Sequence, residues 1–247
     1  MNTESDEQTN AQNQATDCPE CMAWIKHKKA ANSARRHYKE DSGKDWPDDW
    51  SVQSADLQKL VMLPRLPGNK TAIFTKRLVA YHETFATVGT QSKQMIKKKP
   101  TLSVVWHEGI AGRNAEEITS AFITALTHDT ERDIKNAVIQ ADDCTAQNKN
   151  WSLLSSLVTL VNKSSNEIIR LENKNVLARK GGQSQSKLTQ TVSKLAEMVE
   201  IQARRGSKDL FFKTSHDDTD HCKRDFLKKN LKKNKLQIPA CLREKDK

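Results

Sequence analysis

The feature that most constrains this chain is the order of its apolar runs between residues 51 and 172. Three runs of strand character come first. Ser51–Leu63 alternates weakly and ends at Pro64, where a Pro/Gly loop begins. Thr71–Ala86 (TAIFTKRLVAYHETFA) is rich in β-branched and aromatic residues, and Leu102–Trp106 (LSVVW) is short and apolar. The short loops between them predict an antiparallel meander. A helix follows, with Asn114 as N-cap and Glu117 three residues later, the spacing of a capping box. Ile118, Phe122, Ile123 and Leu126 form its apolar stripe. Ile134–Ala141 (IKNAVIQA) is a fourth strand. A second helix runs through Trp151, Leu154, Leu157, Val158 and Val161, and Asn166–Leu171 is the fifth strand. The order β-β-β-α-β-α-β predicts an α/β domain with helices against a mixed sheet.

That order is the one found in RNase H-like domains, whose first strand lies beside the fourth. An acid in the first strand and one ending the fourth would then meet in space. Asp56 lies within SADLQKL, and Asp142 closes the run NAVIQA. Paired carboxylates hold divalent ions about 3.5–4 Å apart in two-metal phosphodiester chemistry. Oxygen ligands suit Mg²⁺ or Mn²⁺. The plainer reading is also open: a strand-ending Asp often caps the next turn, and a strand Asp often faces solvent.

The flanks have a different texture. Residues 1–16 (MNTESDEQTNAQNQAT) are almost free of apolar side chains and are expected to be disordered. Residues 17–50 hold a helix from Pro19 to Asp41, with Cys21, Trp24, Ile25, Lys28, Ala31 and Tyr38 near one face, and then a Gly/Pro/Asp-rich linker. Cys18 and Cys21 have the spacing of half a zinc site, which needs four ligands. Residues 173–247 read as a helical, basic C-terminal extension. Leu188, Val192, Leu195 and Val199 suggest an amphipathic helix. From Ala203 onward there are 14 Lys and Arg against 7 Asp and Glu.

The formal net charge is +10, and the clustering of its basic residues points to nucleic acid as a partner, because phosphate backbones attract such surfaces through counterion release. Lys149, Lys228, Lys229, Lys232 and Lys233 are the candidate phosphate contacts, and the tail lysines also fit a nuclear-import patch. No apolar run is long enough to span a membrane, and the acidic, amide-rich N-terminus is unlike a secretion signal. The expectation is a nuclear or otherwise intracellular protein that is not secreted. Five cysteines in a chain of this kind suit reduced thiols or a metal better than a disulfide framework.

The run ADDCTAQNKNWSLLSSLVTLVN is similar to the ADNCSGQNKN-type signature of a transposase-like family repeated in animal genomes, whose central domain resembles DDE/RNase H-like nucleases. Four further blocks agree in the same order: DCPECMAWIKHKKAANSARRHY, SADLQKLVMLPRLPGNKTAIFTKRLVAYHETFA, VVWHEGIAGRNAEEITSAF and RRGSKDLFFKTSHDD. The resemblance reaches from Asp17 to about Arg243. It implies Asp56 and Asp142 as the first and second metal acids. It also implies that Cys144, Gln147, Asn148, Lys149 and Asn150 follow the second acid to orient it or touch a phosphate. His107 and Glu108 match a strand end near the metal edge.

Two departures stand out. Asp143 and Ala146 replace the family's Asn and Gly. The GHTFMSADS-like block, which should bring a third acid and a histidine after the fifth strand, is missing, and RLENKNVLARKGGQSQ follows instead. Glu172 is the nearest acid. The resemblance therefore implies a transposon-derived nuclease-like protein with an incomplete RNase H-like core and impaired catalysis, in which Glu108 or Glu172 assists Asp56 and Asp142. A non-catalytic nucleic-acid or protein adaptor, or a decayed reading frame, is the alternative.

Overall fold

The computed structural model describes residues 18–58, 60–64, 75–89, 101–142, 144–173, 195 and 197–225. In chain order the elements are α1 (Pro19–Gly43), β1 (Trp50–Leu57), β2 (Val61–Leu63), β3 (Leu78–Thr87) and β4 (Leu102–His107). They continue with α2 (Ala115–Thr130), β5 (Asn136–Ala141), α3 (Thr145–Asn148), α4 (Trp151–Lys163), β6 (Ile168–Asn173), β7 (Glu200–Arg204), β8 (Asp209–Lys213) and β9 (Cys222–Asp225). All the strands belong to one mixed sheet. Its main path is β2-β3-β1-β5-β6-β7-β8-β9, and β4 pairs with β3.

Within the sheet, β3 runs antiparallel to β1, β2 and β4, whereas β1, β5 and β6 are mutually parallel neighbours. The meander predicted from the first three runs is therefore present, joined to a parallel pair through β1. Parallel strands need crossover connections, and α2 and α4 are those crossovers. β5 is buried along its whole length, as its uninterrupted apolar texture requires.

The two faces of the sheet differ. Phe85, Ala137, Ile139, Ile169, Leu171, Ile201 and Leu210 point to one side and pack on Phe122 and Leu126 of α2 and Leu154 and Leu157 of α4. Phe85 and Phe122 meet edge to face at 5.1 Å between ring centroids. Glu117 Oε2 accepts from the Asn114 backbone N–H at 2.9 Å, the expected capping contact of α2. Asn150 caps α4, its Oδ1 accepting from Leu153 N–H at 2.8 Å.

The opposite face is more polar and is covered by the C-terminal half of α1. Trp46 packs on Val52 and Val138 there. Gly89 at the end of β3 has φ +66°, and a Cβ on it would lie 1.9 Å from the Ser42 carbonyl oxygen. Only glycine allows that approach of α1 to the strand. The N-terminal half of α1 behaves otherwise than its apolar periodicity predicts. Trp24 and Ile25 are exposed, and the buried residues of the helix are Ser33 and Ala34. A helix of this length spans about 37 Å, and its side-chain contacts to the sheet and the β8–β9 loop come from Ser33 onward.

The larger correction concerns the C-terminal extension. Within residues 200–225 it is not helical: β7, β8 and β9 lie there and widen the main sheet. Leu188 and Val192 of the expected amphipathic helix lie outside the described residues, and a two-residue alternation begins at Glu200. Ile201 and Ala203 face the core while Glu200 and Gln202 face the polar side. Leu210 and Phe212 repeat the alternation in β8.

Candidate functional site

The polar face carries the candidate chemistry. In the β1–β5 pairing Val52 stands opposite Val138 and Ser54 opposite Gln140. Asp56 and Asp142 lie two residues beyond that last pair, each along its own strand direction. They therefore occupy corresponding positions at the C-terminal ends of neighbouring parallel strands. Alternation from Val52 and Val138 puts both on the polar face. Asp56 is exposed and pairs through its backbone register with Thr84 of β3; Asp142 is half-buried.

The residues after Asp142 hold it in place. Asn148, at the end of the short α3, donates from Nδ2 to Asp142 Oδ1 and, at 3.1 Å, to the Asp142 carbonyl oxygen. The Cys144 N–H lies 3.4 Å from Asp142 Oδ1. Asn150 caps α4 and also donates from Nδ2 to the Gln147 carbonyl at 2.7 Å. The signature residues thus orient the acid and start the next helix. Lys149 is 2% exposed, so its ammonium is packed inside and not presented to a phosphate. Lys228, Lys229, Lys232 and Lys233 lie outside the described residues, as do the expected disordered segment 1–16 and Asp143.

The two helper acids are differently employed. Glu108 sits just past β4, and its Oε1 accepts from Val79 N–H at 2.9 Å while its own N–H donates to the Val79 carbonyl. This closes the β3–β4 pair on the side of β3 away from β1. Glu172 of β6 is on the polar face, opposite Gln140. It is 2% exposed and engaged by Gln140, whose Nε2 donates to Glu172 Oε2 at 2.7 Å and to Asp41 Oδ2 at 2.9 Å. Arg170 completes the group, bonded to Asp41 and 3.4 Å from Glu172 Oε2.

Burial pushes the Glu172 carboxyl up, but the His216 ring and the Arg170 guanidinium outweigh it and hold the group at about 2. Asp41 goes the other way: burial and the Glu172 charge overcome Arg170 and push it up to about 6. Glu200, next to Glu172 across β7, is also held low, with His221 and Arg170 prevailing over burial. His221 Nε2 and Glu200 Oε1 are 2.8 Å apart.

Among the described residues one group of three could hold a metal ion: His37 of α1, Glu172 of β6 and His216 of the β8–β9 loop. One ligand atom from each lies within 4.8 Å of the other two. The His37 and His216 rings stack at 5.1 Å between centroids, and His216 Nδ1 is 3.5 Å from Glu172 Oε1. Neither nitrogen of the buried His216 ring makes a hydrogen bond. Nδ1 meets the Glu172 carboxylate at ion-pair distance without a hydrogen bond, and a hydrogen bond left unmade on a buried polar group costs about 1–3 kcal/mol. Sequence reasoning missed the grouping, because its members are 37, 172 and 216 and no spacing connects them. The unusual signal was Glu172, an acid inside a strand otherwise written Ile-Ile-Arg-Leu.

Cys18 and Cys21 open α1. Cys18 is its N-cap, its Sγ accepting from Cys21 N–H at 3.5 Å, and that contact holds the Cys18 thiol below its ordinary range. Among the described residues no metal-ligand group includes either cysteine. No described helix is long and apolar enough to cross a membrane. Comparison with protein-family models, with curated proteins and with solved structures found no match to this chain.

Proposed function

We propose that this chain is a transposon-derived, RNase H-like nuclease domain whose catalysis is impaired and which keeps an affinity for DNA. One observation carries the reading: Asp56 and Asp142 end adjacent parallel strands on one face of the sheet. The order β4-β3-β1-β5-β6, with β1 flanked by an antiparallel and a parallel neighbour, agrees with the strand order of that fold. The two carboxylates would hold Mg²⁺ or Mn²⁺, with Asn148 fixing the Asp142 side chain. The ions would activate water against a phosphodiester and stabilise the leaving oxygen.

Impairment follows from what the other acids are doing. Glu172 is turned to Arg170 and Gln140 through Oε2 and to His216 through Oε1, away from the Asp56–Asp142 pair, and Glu108 is tied to Val79. A third anchor for the ions is not supplied by either. Displacing a reacting group by 1 Å costs about 10²-fold in rate, so residual activity should be slow. The test is nicking of supercoiled plasmid. Slow Mn²⁺-dependent nicking is expected from the intact chain and none from Asp142→Ala. Nicking that survives Asp142→Ala would overturn the assignment.

The engagement of both Glu108 and Glu172 elsewhere favours one second reading, an adaptor that binds nucleic acid without cutting it. It predicts salt-sensitive DNA binding that persists in an Asp56→Asn, Asp142→Asn double variant. Because β7–β9 belong to the sheet, the informative truncation is after Asp225, which removes the tail lysines and spares those strands.

A further inference from the structure

We propose that His37, Glu172 and His216 form a zinc-class metal site that fastens helix α1 and the β8–β9 loop to the sheet. The three ligands come from segments far apart in the chain, yet one donor atom of each lies within 4.8 Å of the other two. A tetrahedral ion with bonds near 2.05 Å sets its ligands about 3.3 Å apart. The His216 Nδ1–Glu172 Oε1 distance of 3.5 Å is already close to that value.

The second, independent observation is the His216 ring. Its side chain is 3% exposed, both ring nitrogens are buried, and neither has a hydrogen-bond partner, whereas nearby His221 is satisfied by Glu200. The Nδ1 of this buried ring lies 3.5 Å from Glu172 Oε1, another member of the triad.

The surroundings are those of a supported site. Glu172 Oε2 is occupied by Gln140 and Arg170, which leaves Oε1 toward His216. His37 Nδ1 lies 3.7 Å from the exposed Glu40 Oε2, so negative charge stands on that side of the ring as well. The loop carrying His216 is already clamped to α1, because Ser33 Oγ donates to Asp217 Oδ1 at 3.0 Å and Arg36 bonds the same carboxylate. Asp41 and Glu200 add negative charge against Arg170 and Lys213, so a divalent cation meets no net positive wall. Two imidazoles and one carboxylate suit Zn²⁺, with a fourth position left for water on the side of the partly exposed His37. Mg²⁺ and Mn²⁺ prefer all-oxygen sites, which separates this group from the Asp56–Asp142 pair.

The experiment is Zn²⁺ titration of the intact chain against a chromophoric chelator, with Co²⁺ substitution as a spectroscopic check. One tight zinc per chain is expected, with a Co²⁺ spectrum that lacks thiolate charge transfer. Affinity should fall by at least roughly 10- to 100-fold in His37→Gln and in His216→Gln, since even outer-shell losses have that effect. It should be unchanged in Cys18→Ser with Cys21→Ser, and in Asp142→Asn. His37 is partly exposed on a helix, so its variant keeps the test sound if His216→Gln fails to fold. Absence of tight zinc, or tight zinc retained in His37→Gln, overturns the site. Binding lost only with the two cysteines would do the same.

Discussion

Asn148 and Glu172 each do something that the sequence only partly announces. Asn148 is buried and donates twice to Asp142, through its carbonyl and its carboxylate. A hydrogen bond to a charged group contributes about 1.5–3 kcal/mol. Asn148→Ala is expected to lower stability by about 2 kcal/mol in urea unfolding and to weaken Mn²⁺ binding at Asp142. Glu172 gives a pH prediction. Its folded value of about 2 lies below the ordinary 4.5, so the folded state binds fewer protons than the unfolded one. The stabilisation is complete above about pH 4.5 and is lost as pH falls toward 2. Asp41 has the reverse sign: its folded value of about 6 makes its contribution best at low pH and lost as pH rises from about 4 to 6. Thermal melts should therefore show a midpoint falling below pH 4.5 in the intact chain and a flatter acid limb in Glu172→Gln. At this scale the placement of Asp56 and Asp142 on neighbouring strands was legible from the element order, and that of Asp142 also from the buried apolar run it closes. The engagement of Glu172 by residues 41, 140, 170 and 216 was not, because long-range contacts between polar side chains leave no local pattern.

At the scale of elements, local signals were legible wherever one period dominated. The Asn114–Glu117 pair marked the start of α2, and the buried run before Asp142 marked β5. The N-terminal half of α1 and the strands after Glu200 were misread for one reason: amphipathic spacing records what a segment could cover, not whether a surface is there. Trp24 and Ile25 have none, and Ile201 and Leu210 have a sheet edge to extend. The consequence can be measured. Leu210 is fully buried against the core that α4 covers. Leu210→Ala should destabilise the whole domain by about 2–5 kcal/mol in a single cooperative transition. A separate appendage would leave the main transition where it was and add a second, weaker one.

At the scale of the molecule, one sheet serves two purposes on two faces. The apolar face holds α2 and α4 and supplies the core. The polar face gathers the acids: Asp56 and Asp142 open to solvent at the strand ends, and Glu172, Asp41 and Glu200 are enclosed beside them under α1. On the function proposed above, the net charge of +10 would draw the molecule to phosphate and the acid pair would hold the ions that act on it. That division rests on Asp56 and Asp142 sharing a cation. The most direct measurement is an anomalous difference map from crystals soaked in Mn²⁺. Density bridging the two carboxylates, absent from Asp56→Asn crystals, is the predicted result. Fully occupied Mn²⁺ elsewhere with none between these side chains would contradict it.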